Sequence, residues 1–145
     1  MVTGSILDVA DALVRETALL VRSATNEEEL RIGFEKILEP VRETVGIQTE
    51  PRYERFGSKQ NTVYHGRPDA VHGQAVIEYE HPHAFSSSRA VLSAHNQLVE
   101  YIAAYGARAD LNRILGIGFD GDLIFFVMYR GILGTRIDRE AFVRD

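Results

Sequence analysis

Gly66-Arg-Pro-Asp-Ala-Val-His-Gly-Gln-Ala-Val-Ile-Glu-Tyr-Glu80 is the stretch that decides how this chain folds. Alternating residue character on either side of a glycine predicts a tight β-hairpin. The expected loop is His72-Gly73, because glycine takes positive φ freely and histidine tolerates it better than most residues. That loop pairs Val71 with Gln74 and sets Asp69 opposite Val76. Side chains alternate faces along a strand, so Asp69, Val76, Glu78 and Glu80 share one face, with Asp69 and Glu78 as diagonal neighbours. Diagonal positions lie about 7–8 Å apart, a gap that two carboxylates reaching to within about 2.0–2.6 Å of one Mg²⁺ or Ca²⁺ can span. Three acids on one face repel one another unless a cation or basic groups intervene. The pattern therefore describes either the wet face of a half-exposed hairpin or a divalent metal site.

Working outward, Ser5 to about Arg22 carries Ile6, Val9, Ala10, Leu13, Leu20 and Val21 at helical spacing. A second helix is expected from Thr25, where Thr25-Asn-Glu-Glu28 matches a capping box. Leu30, Phe34, Ile37, Leu38 and Val41 form its apolar stripe, Pro40 is expected to end or kink it, and Gly46 marks a stop. Ile47 to Phe56 reads as extended, Gly57 to Asn61 as a turn, and Thr62 to Tyr64 as the start of a further strand.

Beyond the hairpin, His81 to Ser88 is a loop, followed by a helix from about Arg89 to Ala107 with Leu92, His95, Leu98, Val99 and Ile102 on one face. His95 on that apolar face reads as a satisfied core residue. Arg113 to Phe119 and Leu123 to Tyr129 are strands joined by a turn at Asp120-Gly121. The order α-α-β-β-β-α-β-β predicts an α/β (α+β) domain with a central mixed sheet flanked by helices.

The chain has 145 residues, 45% of them hydrophobic, which suits one globular domain spanning 1–145. It has no cysteine, so disulfide frameworks and thiolate zinc sites are excluded. Its start lacks the basic region of a secretory signal, and no apolar run has the length to cross a bilayer. A cytoplasmic protein without membrane partners is the expectation. Its tail, Gly134 to Asp145, is charged and offers no recognisable closing element, so the chain is expected to be the N-terminal part of a longer protein.

A net charge of −5, from 21 acids against 16 bases, argues against strong binding of nucleic acid by charge alone. A basic groove on an acidic body stays compatible with it. Only Lys36 and Lys59 among the bases are lysines; the others are arginine, the better residue for bidentate phosphate contacts.

Pro68-Asp69, eight residues, then Glu78-Tyr79-Glu80 resembles the PD-(D/E)XK nuclease signature. In that superfamily the signature sits on a β-hairpin, after a helix bearing an acid and before a helix and another strand, the same order found here from about Thr25 to Tyr129. Gln97-Leu-Val-Glu-Tyr101 resembles the Q-x-x-x-Y motif of the RecB-like branch and falls on the expected helix. The chain is thus similar to N-terminal nuclease domains of type I-like restriction subunits, and the resemblance implies a restriction-endonuclease-like core.

The resemblance further implies that Asp69, Glu78 and the Tyr79 main-chain carbonyl hold Mg²⁺ or Mn²⁺, and that Gln97 and Tyr101 position the DNA backbone or a metal-bound water. It places an acid on the preceding helix. Glu27 shares the inward face with Leu30 and Phe34, while Glu28 is the expected capping partner, so Glu27 is the candidate. At position 80, however, the family usually has lysine, and Glu80 stands there. Glu80 can serve as general base or as ligand to a second metal, but it supplies no positive charge.

Two readings follow. One is a metal-dependent deoxyribonuclease in a restriction-modification or DNA-repair setting, with Asp69, Glu78, Glu80, Glu27, Gln97 and Tyr101 in the catalytic site. The other is an inactive nuclease-fold module that binds nucleic acid or a neighbouring helicase or methyltransferase module. Arg67, Arg89 and Lys59 are positioned to meet phosphates or solvent, and His81-Pro-His83 reads as a surface loop rather than a metal cluster. Gly116-Ile-Gly118-Phe-Asp-Gly121 spells a dinucleotide fingerprint but precedes a strand, where the motif needs a helix.

Overall fold

A computed structural model describes residues 5–47, 52–53, 68–105, 111–134 and 136–145. Its elements are α1 (Ile6–Ser23), α2 (Glu27–Thr44), β1 (Arg52–Tyr53), β2 (Ala70–His72), β3 (Ala75–Tyr79), α3 (Ser88–Tyr105), β4 (Leu115–Phe119), β5 (Ile124–Tyr129) and β6 (Phe142–Arg144). The strands form one 6-stranded sheet in chain order. Every neighbouring pair is antiparallel except β3 and β4, which α3 joins as a parallel crossover. The expected class, mixed α/β with helices flanking a mixed sheet, is what the chain forms. The expected turn at 57–61 and strand at 62–64 lie outside the described residues, as do Lys59 and Arg67.

Two apolar clusters sandwich the sheet. On one face Val71 and Val76 pack with Leu98, Val99 and Ile102 of α3 and with Phe125 and Val127 of β5. On the other, Ala70, Ile77 and Tyr79 pack with Leu30 and Phe34 of α2, Val21 of α1 and Phe119. Strand β3 divides its side chains between the clusters by its pleat: Val76 and Glu78 point to α3, Ile77 and Tyr79 to α2.

The hairpin turn differs from the expected one. Gly73 and Gln74 form it, and the register pairs Val71 with Val76 and His72 with Ala75. Gly73 alone supplies the positive φ, at 60°. His72 is drawn into the strand because its imidazole is buried against Glu35 of α2, with Nε2 2.7 Å from Oε2. Continuing the register by one position sets Asp69 opposite Glu78 rather than opposite Val76.

The start of α2 is also displaced by one residue. Asn26 is the N-cap, its side chain accepting from the Glu29 N–H at 2.9 Å, and the Glu29 carboxylate accepts from both the main-chain N–H and the hydroxyl of Thr25. Glu29, not Glu28, is therefore the acid that closes the cap. Pro40 neither ends nor breaks the helix. It sits exposed inside the helix, where it gives up the N–H bond to the carbonyl four residues back, and its own carbonyl accepts from the Thr44 hydroxyl at 2.9 Å.

The glycines of β4 are packing residues. A Cβ on Gly118 would lie 2.3 Å from the Phe125 ring, so the letters that imitate a dinucleotide fingerprint record a close approach of two strands. The tail does close an edge: β6 pairs with β5, Phe142 beside Tyr129. Its pattern was too short and too charged to read as a strand, since only Phe142 is buried and the pairing partner lies on another element.

Candidate functional site

Glu78 sits at the centre of the face that β3 turns toward α3. It is 7% exposed, and its Oε2 is buried with no hydrogen-bond partner. A buried carboxylate without full hydrogen bonding is costly when charged. Accordingly its pKa is pushed up to about 9, first by burial, then by the charge of Asp69, and further by Glu80 and Glu27; a hydrogen bond from Tyr101 works in the opposite direction. Four of the five other expected site residues thus act on it: Asp69 from the start of the hairpin, Glu80 from just past β3 and Glu27 from the first turn of α2 through their charge, and Tyr101 of α3 through its hydroxyl.

Gln97 does not make that hydrogen bond. It lies half-buried one turn before Tyr101 on α3. Asp69 is half-buried, and its Oδ2 accepts the main-chain N–H of Tyr79 at 2.7 Å. Tyr79, whose carbonyl is the further expected ligand, ends β3 beside Phe119.

Glu80 is half-buried, and burial raises its pKa; His81 lowers it, while Asp69 and Asp120 raise it again. Raised proton affinity makes a carboxylate a stronger base. Among the described residues no three His, Asp or Glu side chains are gathered closely enough to hold a metal ion. Mg²⁺, however, is commonly bound through one or two carboxylates and keeps several waters. Asp69 and Glu78 suit that mode, since Glu78 brings a buried oxygen that no protein donor satisfies.

Asp120 was not foreseen as anything but a turn residue. It is 1% exposed; Oδ2 accepts from the Phe85 N–H at 2.8 Å, and Oδ1 from the N–H groups of Asp122 and Leu123 at 2.9 and 2.7 Å. It ties the loop after β3 to the β4–β5 turn, and Glu80 is held there by its own main-chain N–H, which donates to the Phe119 carbonyl at 3.0 Å. Arg31 and Glu35, both buried on α2, were also missed. Their signal was an opposite-charge pair four residues apart, alongside the apolar stripe.

The histidines do not cooperate as ligands. His83, in left-handed backbone at φ 68°, pairs with the Asp122 carboxylate, whereas His81 Nδ1 lies 3.1 Å from the Pro82 carbonyl. His95 corrects the expectation of a satisfied core residue: it is half-buried, its Nδ1 has no partner, and burial and then Arg144 lower its pKa. Arg89 is exposed in the first turn of α3.

No family model, curated protein or solved structure matches this chain.

Proposed function

We propose that this chain is a metal-dependent nuclease domain with a restriction-endonuclease-like core of the PD-(D/E)XK type, which hydrolyses phosphodiester bonds of DNA in a restriction-modification or repair setting. The observation that carries the reading is Glu78, a buried carboxylate with an unsatisfied oxygen, crowded by Asp69, Glu80 and Glu27. A cation would offset these charges and take the Glu78 oxygen that has no donor. Asp69 and Glu78 would hold Mg²⁺ or Mn²⁺, which supplies a water of lowered pKa and offsets charge on the cleaved phosphate. Tyr101 holds Glu78 through its hydroxyl, and Glu80, whose proton affinity burial raises, would accept a proton from the attacking water.

The test is plasmid cleavage with Mg²⁺ or Mn²⁺. Asp69→Ala/Glu78→Ala should lose activity by about a thousandfold, equivalent to about 4 kcal/mol of barrier. Equal cleavage by both proteins would rule the reading out.

Glu80 favours a second reading, an inactive module that binds nucleic acid or a neighbouring domain. No lysine stands at position 80, and Lys36 is exposed on α2. Mn²⁺ binding by calorimetry without cleavage of any DNA substrate would select it.

A further inference from the structure

Tyr79 is held at both ends. Its main-chain N–H donates to Asp69 Oδ2 at 2.7 Å, and its phenol donates to Glu35 Oε1 at 2.5 Å. The other oxygen of Glu35 faces His72 Nε2 at 2.7 Å. One carboxylate on α2 therefore grips both strands of the hairpin, β2 through His72 and β3 through Tyr79. The strands so gripped carry Asp69, three residues before His72, and Glu78, the residue before Tyr79. The Tyr79 ring is further fixed by edge-on packing against Phe34 and Phe119, with centroids 6.2 and 6.1 Å away.

We propose that Glu35 is a positioning residue for the candidate site, which sets the placement of Asp69 relative to Glu78 by clamping His72 and Tyr79 from the opposite face of the sheet. The proposal rests on the metal-dependent reading for its consequence, though not for its geometry. The peptide between Glu78 and Tyr79 is planar, so the orientation of Tyr79 limits the twist open to Glu78. Partners one step removed from a metal commonly change its affinity tenfold or more, because they orient the ligands.

Amide hydrogen exchange on the metal-free protein reads the clamp directly. In Glu35→Ala the Tyr79 amide should lose about tenfold protection while the amides of β4 and β5 keep theirs. Tyr79→Phe removes only the phenolic hydroxyl, keeps the ring packing and should give the same selective loss. Glu35→Gln, whose amide oxygen still accepts from Tyr79, should restore most of it. Mn²⁺ titration should follow the same order, with the dissociation constant raised about tenfold in Glu35→Ala. An unchanged Tyr79 amide, or a loss shared equally by all strands, would overturn the proposal. Absence of Mn²⁺ binding in the wild type, alongside a selective loss at Tyr79, would overturn the metal reading and leave the clamp standing.

Discussion

Glu78 and Tyr79 are adjacent in β3, and they treat buried polarity in opposite ways. Toward α2, both oxygens of the Glu35 carboxylate are engaged, one accepting from the Tyr79 hydroxyl at 2.5 Å and the other facing His72 Nε2 at 2.7 Å. Toward α3, Glu78 has one hydrogen bond from Tyr101, an orphaned oxygen and three like charges nearby. A carboxylate engaged at both oxygens braces a scaffold, whereas a buried carboxylate oxygen without a donor, close to like charges, favours a proton or a cation. Under the proposed function, the α2 face is support and the α3 face carries the chemistry.

The largest break in that comparison would come from pH. A folded-state pKa of about 9 against an ordinary 4.5 means that the folded protein binds a proton that the unfolded chain releases. That stability is fully present below about pH 4.5 and is lost as pH rises toward 9, at up to about 1.4 kcal/mol per pH unit. Glu78→Gln removes the ionisation, so urea melts should show its advantage over wild type widening across this window. Saturating Mg²⁺ should flatten the wild-type slope, since a bound cation displaces the proton. Parallel pH profiles for the two proteins would refute the assignment of the α3 face.

On the α2 face the sign reverses. Tyr79→Phe should destabilise by about 1.5–3 kcal/mol, because it removes a hydrogen bond to a carboxylate that stays buried. If chemical denaturation showed the variant to be as stable as wild type, that network would not be support. The smallest effect belongs to the cap that sets the start of α2: Asn26→Ala should cost about 1 kcal/mol by thermal melting, with no change in the pH profile.

Much of the hairpin was legible despite a wrong turn. Moving the loop from His72-Gly73 to Gly73-Gln74 displaces the pairing by two positions, and an even displacement keeps every side chain on its face. Asp69, Glu78 and Glu80 therefore stayed together although their partners changed. His72 was misread because its reason for being in the strand is Glu35, a residue on another element. The cap at Asn26 was missed by one residue because Thr25 and Asn26 are both good caps and Glu28 and Glu29 both good closers. The tail strand β6 was invisible for the same reason as His72, since β5 supplies what holds it.

The sequence by itself determined the helices, the strand faces and the gathering of acids on one face of β3, because these follow from local periodicity. Tertiary structure alone decided that Glu78 keeps an unsatisfied oxygen, that Glu27 and Tyr101 converge on it while Gln97 does not hydrogen-bond it, and that Glu35 grips the hairpin from behind. Burial and partnership are properties of what packs against a residue, and for this hairpin those groups come from α2 and α3, far away along the chain.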